Sequence, residues 1–309
     1  MEGAAGEAAG EEAGEPARGE EEREGGGGDG GAHGRHAITL PIRAPERFGW
    51  SILGKGALCP RERASLPMIT AVTFDVTHTL IHSPRLGEIY AQVLARHGLE
   101  VAPARAAELV RTVWTEFACL ADPGHDRFTS HPGGARGWWH RFLLRVAEHL
   151  DAPPPSRFAA AELYHRFGAA DAWEVYPEVR GTLAALRGKG LRLAVVSNWD
   201  ERLPLLLERL GLAQSFEAIV CSSAVGVEKP DRRIFRRALE LLAVAPESAL
   251  HVGDHRLEDV EGATAAGMHA VQLDRRGSGG GLADLTELPH LVDTPPAPAP
   301  ATGEIAGPW

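Results

Sequence analysis

The sequence predicts an α/β fold: a Rossmann-like parallel sheet with helices on both faces, plus an inserted all-helical cap. Three observations predict it. A β-branched apolar run, Ile69 to Phe74, has about the length of one strand and stops abruptly on Asp75. From Pro177 onward short apolar runs alternate with helical stripes, the βαβ rhythm of a parallel sheet. Between these regions four helical stripes follow one another with no strand among them.

Taken in order, residues 1–67 read as an N-terminal extension of low complexity. Up to about residue 34 it consists largely of Gly, Ala and Glu, has little to bury, and is expected to be disordered. Gly25 to Gly28 lack the preceding strand and following helix that a phosphate loop needs. Met68 stands directly in front of the first strand, so a chain started there would omit the extension. The Rossmann-like core is assigned to residues 68–84 and 177–292, and the cap to 85–176.

Within the cap, Leu86, Ile89, Tyr90, Val93 and Leu94 form one helical stripe, closed by Gly98. Pro103 opens the next helix, with Leu109, Val110, Val113, Trp114 and Phe117 on one face. After a Gly/Pro/His-rich loop, Trp138, Trp139, Phe142, Leu143, Val146 and Leu150 give a third stripe. Phe158 to Phe167 give a fourth. The Trp138-Trp139 pair has two uses open to it, roofing a pocket or filling the cap core; a large apolar residue at helical spacing is usually core.

In the core, Val179 to Leu186 is a helix broken by Gly188 and Gly190, and Leu191 to Val196 a strand ending on Ser197-Asn198. A helix over Leu203 to Leu210 and a strand over Phe216 to Cys221 follow. Asp231 caps the helix that carries Ile234, Phe235, Ala238, Leu239 and Leu242. Ala249 to Val252 is a strand ending on Gly253-Asp254, Asp259 to Ala266 a helix stopped by Gly267, and His269 to Leu273 the last strand. Residues 293–309 read as a flexible Pro/Ala-rich tail.

Charge narrows the partners. Of the formal net charge of −10, the first thirty residues carry −8, so the remainder is nearly neutral and favours neither nucleic acid nor an acidic membrane surface. No apolar run reaches membrane-spanning length. Cys59, Cys119 and Cys221 are odd in number and scattered, which points to a reducing, intracellular setting, the cytoplasm first and an organelle as the alternative.

Asp75, Ser197 and Asp254 sit at strand ends that share one edge of a parallel sheet, where open α/β sheets bind ligands, and Lys229 arrives on a loop. Carboxylates and a backbone carbonyl are the hard oxygen ligands that Mg²⁺ prefers. A cation lets an anionic nucleophile approach an anionic phosphate, and a hydroxyl and an ammonium suit the phosphoryl oxygens.

Asp75-Val76-Thr77-His78-Thr79, Ser197-Asn198, Glu228-Lys229-Pro230-Asp231 and Gly253-Asp254 followed by Asp259 occur in this order. The set resembles the haloacid dehalogenase superfamily of phosphotransferases over residues 68–292, and the position of the insertion resembles its helical-cap members. The resemblance implies an aspartyl-phosphate formed on Asp75. It implies Mg²⁺ held by Asp75, the carbonyl of Thr77 and Asp254, with Asp259 orienting that shell from behind. Thr79 then supports the turn, while Ser197, Asn198 and Lys229 bind the phosphoryl group of a small phosphorylated metabolite.

Two adjacent positions depart from the pattern. Phosphatases of the superfamily usually carry a second Asp, as acid and base, where this chain has Thr77, and often Gly where it has His78. A hydroxyl cannot exchange a proton near neutral pH as a carboxyl can, and such transfer contributes about 10²–10⁴-fold. The expectation is a slow Mg²⁺-dependent phosphatase, with a weakly active or inactive binding module as the alternative.

Overall fold

The computed structural model describes residues 68–295 apart from 121, 123, 278 and 279. The expectations for residues 1–67 and 296–309 lie outside the described residues.

Five parallel strands form the central sheet in the order β5-β4-β1-β6-β7. They are β1 (Ala71–Phe74), β4 (Arg192–Ser197), β5 (Ala218–Cys221), β6 (Ala249–Gly253) and β7 (His269–Gln272). Strand β1 lies in the middle, with Val72 opposite Leu193 of β4 on one side and Leu250 of β6 on the other. A separate antiparallel pair, β2 (Ile81–His82) and β3 (Glu174–Val175), joins the two ends of the helical insertion.

Side chains alternate across each strand and so feed two cores. Val72, Phe74, Leu193, Val195, Leu250 and Val252 face one core. It is completed by α5 (Val179–Gly188), α6 (Leu203–Arg209) and α10 (Leu288–Leu291), through Leu183, Leu206 and Leu288 among others. Ala71, Ala194, Val196 and Ala249 face the other. There Ile234, Phe235 and Ala238 of α8 (Arg232–Leu242) pack with Ala263 of α9 (Gly262–Ala265). The short helix α7 (Ser222–Val225) follows β5 and ends on Gly226, whose φ of 85° suits a residue without Cβ.

Four helices make the insertion: α1 (Leu86–Arg96), α2 (Pro103–Cys119), α3 (Gly134–Glu148) and α4 (Arg157–Arg166). Their apolar faces build a third core of their own. Gly87 lets α1 and α2 approach closely, since a Cβ there would stand 2.2 Å from the Pro103 carbonyl oxygen. Trp138 is buried in this core and Trp139 partly so, so at least one ring of the pair is packing. Trp114, expected on the buried face, is 39% exposed at the edge of the cluster.

Boundaries shift by one to three residues from the sequence expectations, and one element differs in kind. The helix expected over Asp259 to Ala266 is a wide π-type turn, Arg256–Glu261, continued by α9. Mid-helix π geometry is rare and accompanies functional sites. Asp231 caps α8 as expected, its carboxylate accepting from the Arg233 amide at 2.8 Å. The β2–β3 pair had no sequence signal, because two residues are too few for a period to appear.

Candidate active site

The strand ends meet. Asp75 follows β1 directly, and its amide extends the ladder by donating to the Val252 carbonyl at 2.9 Å. Ser197 is the last residue of β4, and Asp254 is the first after β6. Lys229 stands on the loop between α7 and α8, and Asp259 on the π-turn. One carboxylate oxygen from each of Asp75, Asp254 and Asp259 lies within 4.8 Å of the others.

Lys229 ties the group together. Its ammonium, almost wholly buried, donates to Asp75 Oδ1 at 2.7 Å and to Asp259 Oδ1. Burial alone would pull this lysine's pKa down; Asp259, Asp75 and Glu258 outweigh it and raise the pKa above the ordinary value. Ser197 Oγ donates to the same Asp75 Oδ1 at 3.0 Å, and Thr79 Oγ1 reaches Asp75 Oδ2 at 3.3 Å.

Asp259 is held from three sides. The His255 amide donates to Oδ2 at 2.9 Å, while His251 Nε2 lies 3.1 Å from Oδ1. Against the cost of burial, Lys229 and His251 hold its carboxyl below the usual carboxylate range. His251 is itself placed by Thr73, its register partner across β1 and β6, with Thr73 Oγ1 2.8 Å from His251 Nδ1. The close fit extends to Gly253, where a Cβ would stand 2.2 Å from the Asp259 carboxyl carbon.

Asp254 is the odd carboxyl. Burial first, then Asp75 and Asp259, push its pKa up to about 8. Three clustered carboxylates beside a single ammonium leave an excess of negative charge that a proton or a cation neutralises. Oxygen-only donors at this spacing fit a hard divalent ion such as Mg²⁺.

Asn198 does not present a free amide to the cluster. Its Oδ1 accepts from the Lys229 amide at 2.6 Å, and its Nδ2 donates to the Lys229 carbonyl at 3.0 Å and to Glu258 Oε2 at 3.1 Å. Thr77 is half-buried beyond Asp75, in a bridge with Ile81. His78 is exposed and left-handed, φ 62°, a conformation that glycine adopts without strain. Arg275 clamps this turn, donating to the His78 and Thr79 carbonyls and to Glu178 while its guanidinium covers Tyr176 at 3.6 Å.

Sequence reasoning missed the contacts through which the insertion touches this site. Arg127 pairs with Glu228, and Trp139 Nε1 donates to buried Asp200 at 2.9 Å, an aspartate that also takes the Arg202 guanidinium. Nothing in their spacing marks them, because each partner lies far off in sequence. Among the described residues no helix is long and apolar enough to cross a membrane.

The family model of haloacid dehalogenase-like hydrolases matches residues 69–267. The human haloacid dehalogenase-like hydrolase domain-containing protein 3 is 37% identical over 205 residues, covering 65% of this chain and 80% of its own. Glyceraldehyde 3-phosphate phosphatase of Methanopyrus kandleri is 33% identical over 220 residues, covering 67% and 85%. Among solved structures, 2-haloacid dehalogenase of Pseudomonas syringae aligns with a TM-score of 0.52 at 26% identity, covering 73% of this chain and 98% of that one.

Proposed function

The chain belongs to the haloacid dehalogenase-like hydrolases, and from that premise we propose that it is an Mg²⁺-dependent phosphatase of small phosphate esters acting through Asp75. The observation that carries the reading is the Lys229 ammonium bridging Asp75 and Asp259 beside a third carboxylate, Asp254. Asp75, Asp254 and the Thr77 carbonyl would hold the ion, with Asp259 orienting them. Bound there, Mg²⁺ would screen the nucleophile from the phosphate and offset charge on the phosphoryl oxygens.

The residues divide the work. An Asp75 carboxylate oxygen forms the bond to phosphorus as the ester P–O bond breaks, and water then hydrolyses the aspartyl-phosphate. Ser197 Oγ and Lys229 Nζ already converge on Asp75 Oδ1, where they meet the incoming phosphoryl group. The leaving alkoxide needs a proton, and Thr77 is a poor donor, so turnover is slow. Dehalogenation, the activity named for the Pseudomonas protein, is a different chemistry: metal-independent displacement of a halide has no use for the Asp254 carboxylate.

A second reading, a binding module without turnover, is favoured by Thr77 and His78. Phosphate release from a panel of phosphate esters, with and without Mg²⁺, tests both. We expect slow Mg²⁺-dependent release that Asp75→Asn abolishes, and a gain on the order of 10²-fold in Thr77→Asp. Release that matches Asp75→Asn across the panel, in wild type and Thr77→Asp alike, would leave the binding module standing.

A further inference from the structure

Two consecutive residues, Glu228 and Lys229, point to different parts of the molecule. Lys229 turns toward Asp75 and Asp259. Glu228, only 1% exposed, turns toward the helical insertion and takes a fork of bonds from Arg127: the backbone amide at 2.7 Å and Nε at 2.6 Å to Oε1, with a terminal guanidinium nitrogen on Oε2. One residue before Arg127, the Asp126 amide donates at 2.9 Å to the carbonyl of Gly226, two residues before Glu228. On the other side the loop is held by Asn198, which grips both the amide and the carbonyl of Lys229. The short segment 226–229 is therefore clamped from the insertion above and the sheet below.

The Arg127 side chain is built in. The guanidinium lies 5.4 Å from the Trp114 ring centre and 5.7 Å from that of Trp138, and only 11% of the side chain is exposed. A buried carboxylate stripped of its cation is strongly disfavoured, so Glu228 and Arg127 dock together or not at all. The bidentate fork also fixes direction, which a single ammonium does not.

We infer that Arg127 is a positioning residue for Lys229: docking of the insertion through the Arg127–Glu228 pair sets the loop that delivers the ammonium to Asp75. Seating of the insertion and assembly of the phosphoryl-binding groups are then one event. The inference rests on Lys229 as a phosphoryl-binding group, yet its test reads the cover over that ammonium and not turnover, so the two ideas fail separately.

The sequence holds three lysines, Lys55, Lys189 and Lys229, which makes amine labelling unambiguous by peptide mass. Lys189, with 37% of its side chain exposed against 2% for Lys229, is the internal reference. The full chain is treated with N-hydroxysuccinimidyl acetate and the rate of acetylation is followed at each lysine. In Arg127→Met we expect labelling of Lys229 to rise about tenfold at an unchanged Lys189 rate, the signature of local and not global opening. Arg127→Lys, which keeps the charge and loses the fork, should fall between, and decides the matter alone if Arg127→Met does not fold. Arg145→Met, which removes a cap arginine paired on the surface with Glu116 and Glu148, should leave Lys229 protected. Wild-type protection of Lys229 in both Arg127 variants, or a parallel rise at Lys189 and Lys229, would overturn the inference.

Discussion

At the scale of single residues, the site turns on how charge is shared. Asp75 and Asp254 were legible in the sequence because each is a charged residue placed where an apolar strand ends, whereas Lys229, on a loop, and Asp259 stood out through the order of the motifs. Their partners were not. His251 and Thr73 lie inside strands and look like tolerated polar residues until the β1–β6 register pairs them. The raised pKa of Asp254 gives this balance a sign. A carboxyl near 8 when folded and in the ordinary range when unfolded keeps a proton only in the native state, so stability falls as pH rises through that interval. His251, lowered with burial as the leading cause, acts in the opposite sense up to about pH 6.5, the ordinary histidine value. The stability read from thermal melts of the metal-free protein should therefore fall between about pH 6.5 and about pH 8, and Asp254→Asn should flatten that decline. Added Mg²⁺, replacing the proton, should raise the melting temperature most at the upper end.

At the scale of elements, the parallel strands and long helices followed from periodicity, and the π-turn did not. The sequence from Asp259 to Ala266 reads as helix, but Asp259 must turn back onto Lys229 and His251, and the wider turn lets it do so. The turn leaves no room at Gly253, so Gly253→Ala collides with the Asp259 carboxyl. We expect this one methyl to destabilise the fold by about 1–3 kcal/mol, as overpacking does. It should also weaken the Mg²⁺-induced rise in melting temperature, whereas Gly181→Ala, a helical glycine with open space around it, should leave that rise intact. A melting-temperature response to Mg²⁺ equal to wild type in Gly253→Ala would show that Asp259 does not need its present position. The tryptophan pair teaches the same lesson in another way. Helical spacing placed Trp138 and Trp139 on one face, but only packing shows that one fills the cap core while the indole of the other is tied to Asp200.

At the scale of the whole molecule, the fold class was legible because alternation of strands and helices is a long-range pattern written in local residues. The seams were not, since Arg127 and Glu228 are a hundred residues apart and meet only after the chain has folded. One placement in the sheet has a consequence of its own. Strand β1 occupies the middle of five, bonded along its length to β4 and β6 and covered on both faces by apolar side chains. Its amides, from Val72 to Asp75, have no local route to solvent, so in deuterated buffer they should exchange only when the entire sheet comes apart. Exchange at these amides then measures global stability. The amides of the two-residue pair β2–β3, which has no further strand beside it, should exchange orders of magnitude sooner. Asp75, the proposed nucleophile, is thus fixed at the last part of the chain to open, and the β2–β3 pair at the root of the helical insertion can breathe without displacing it.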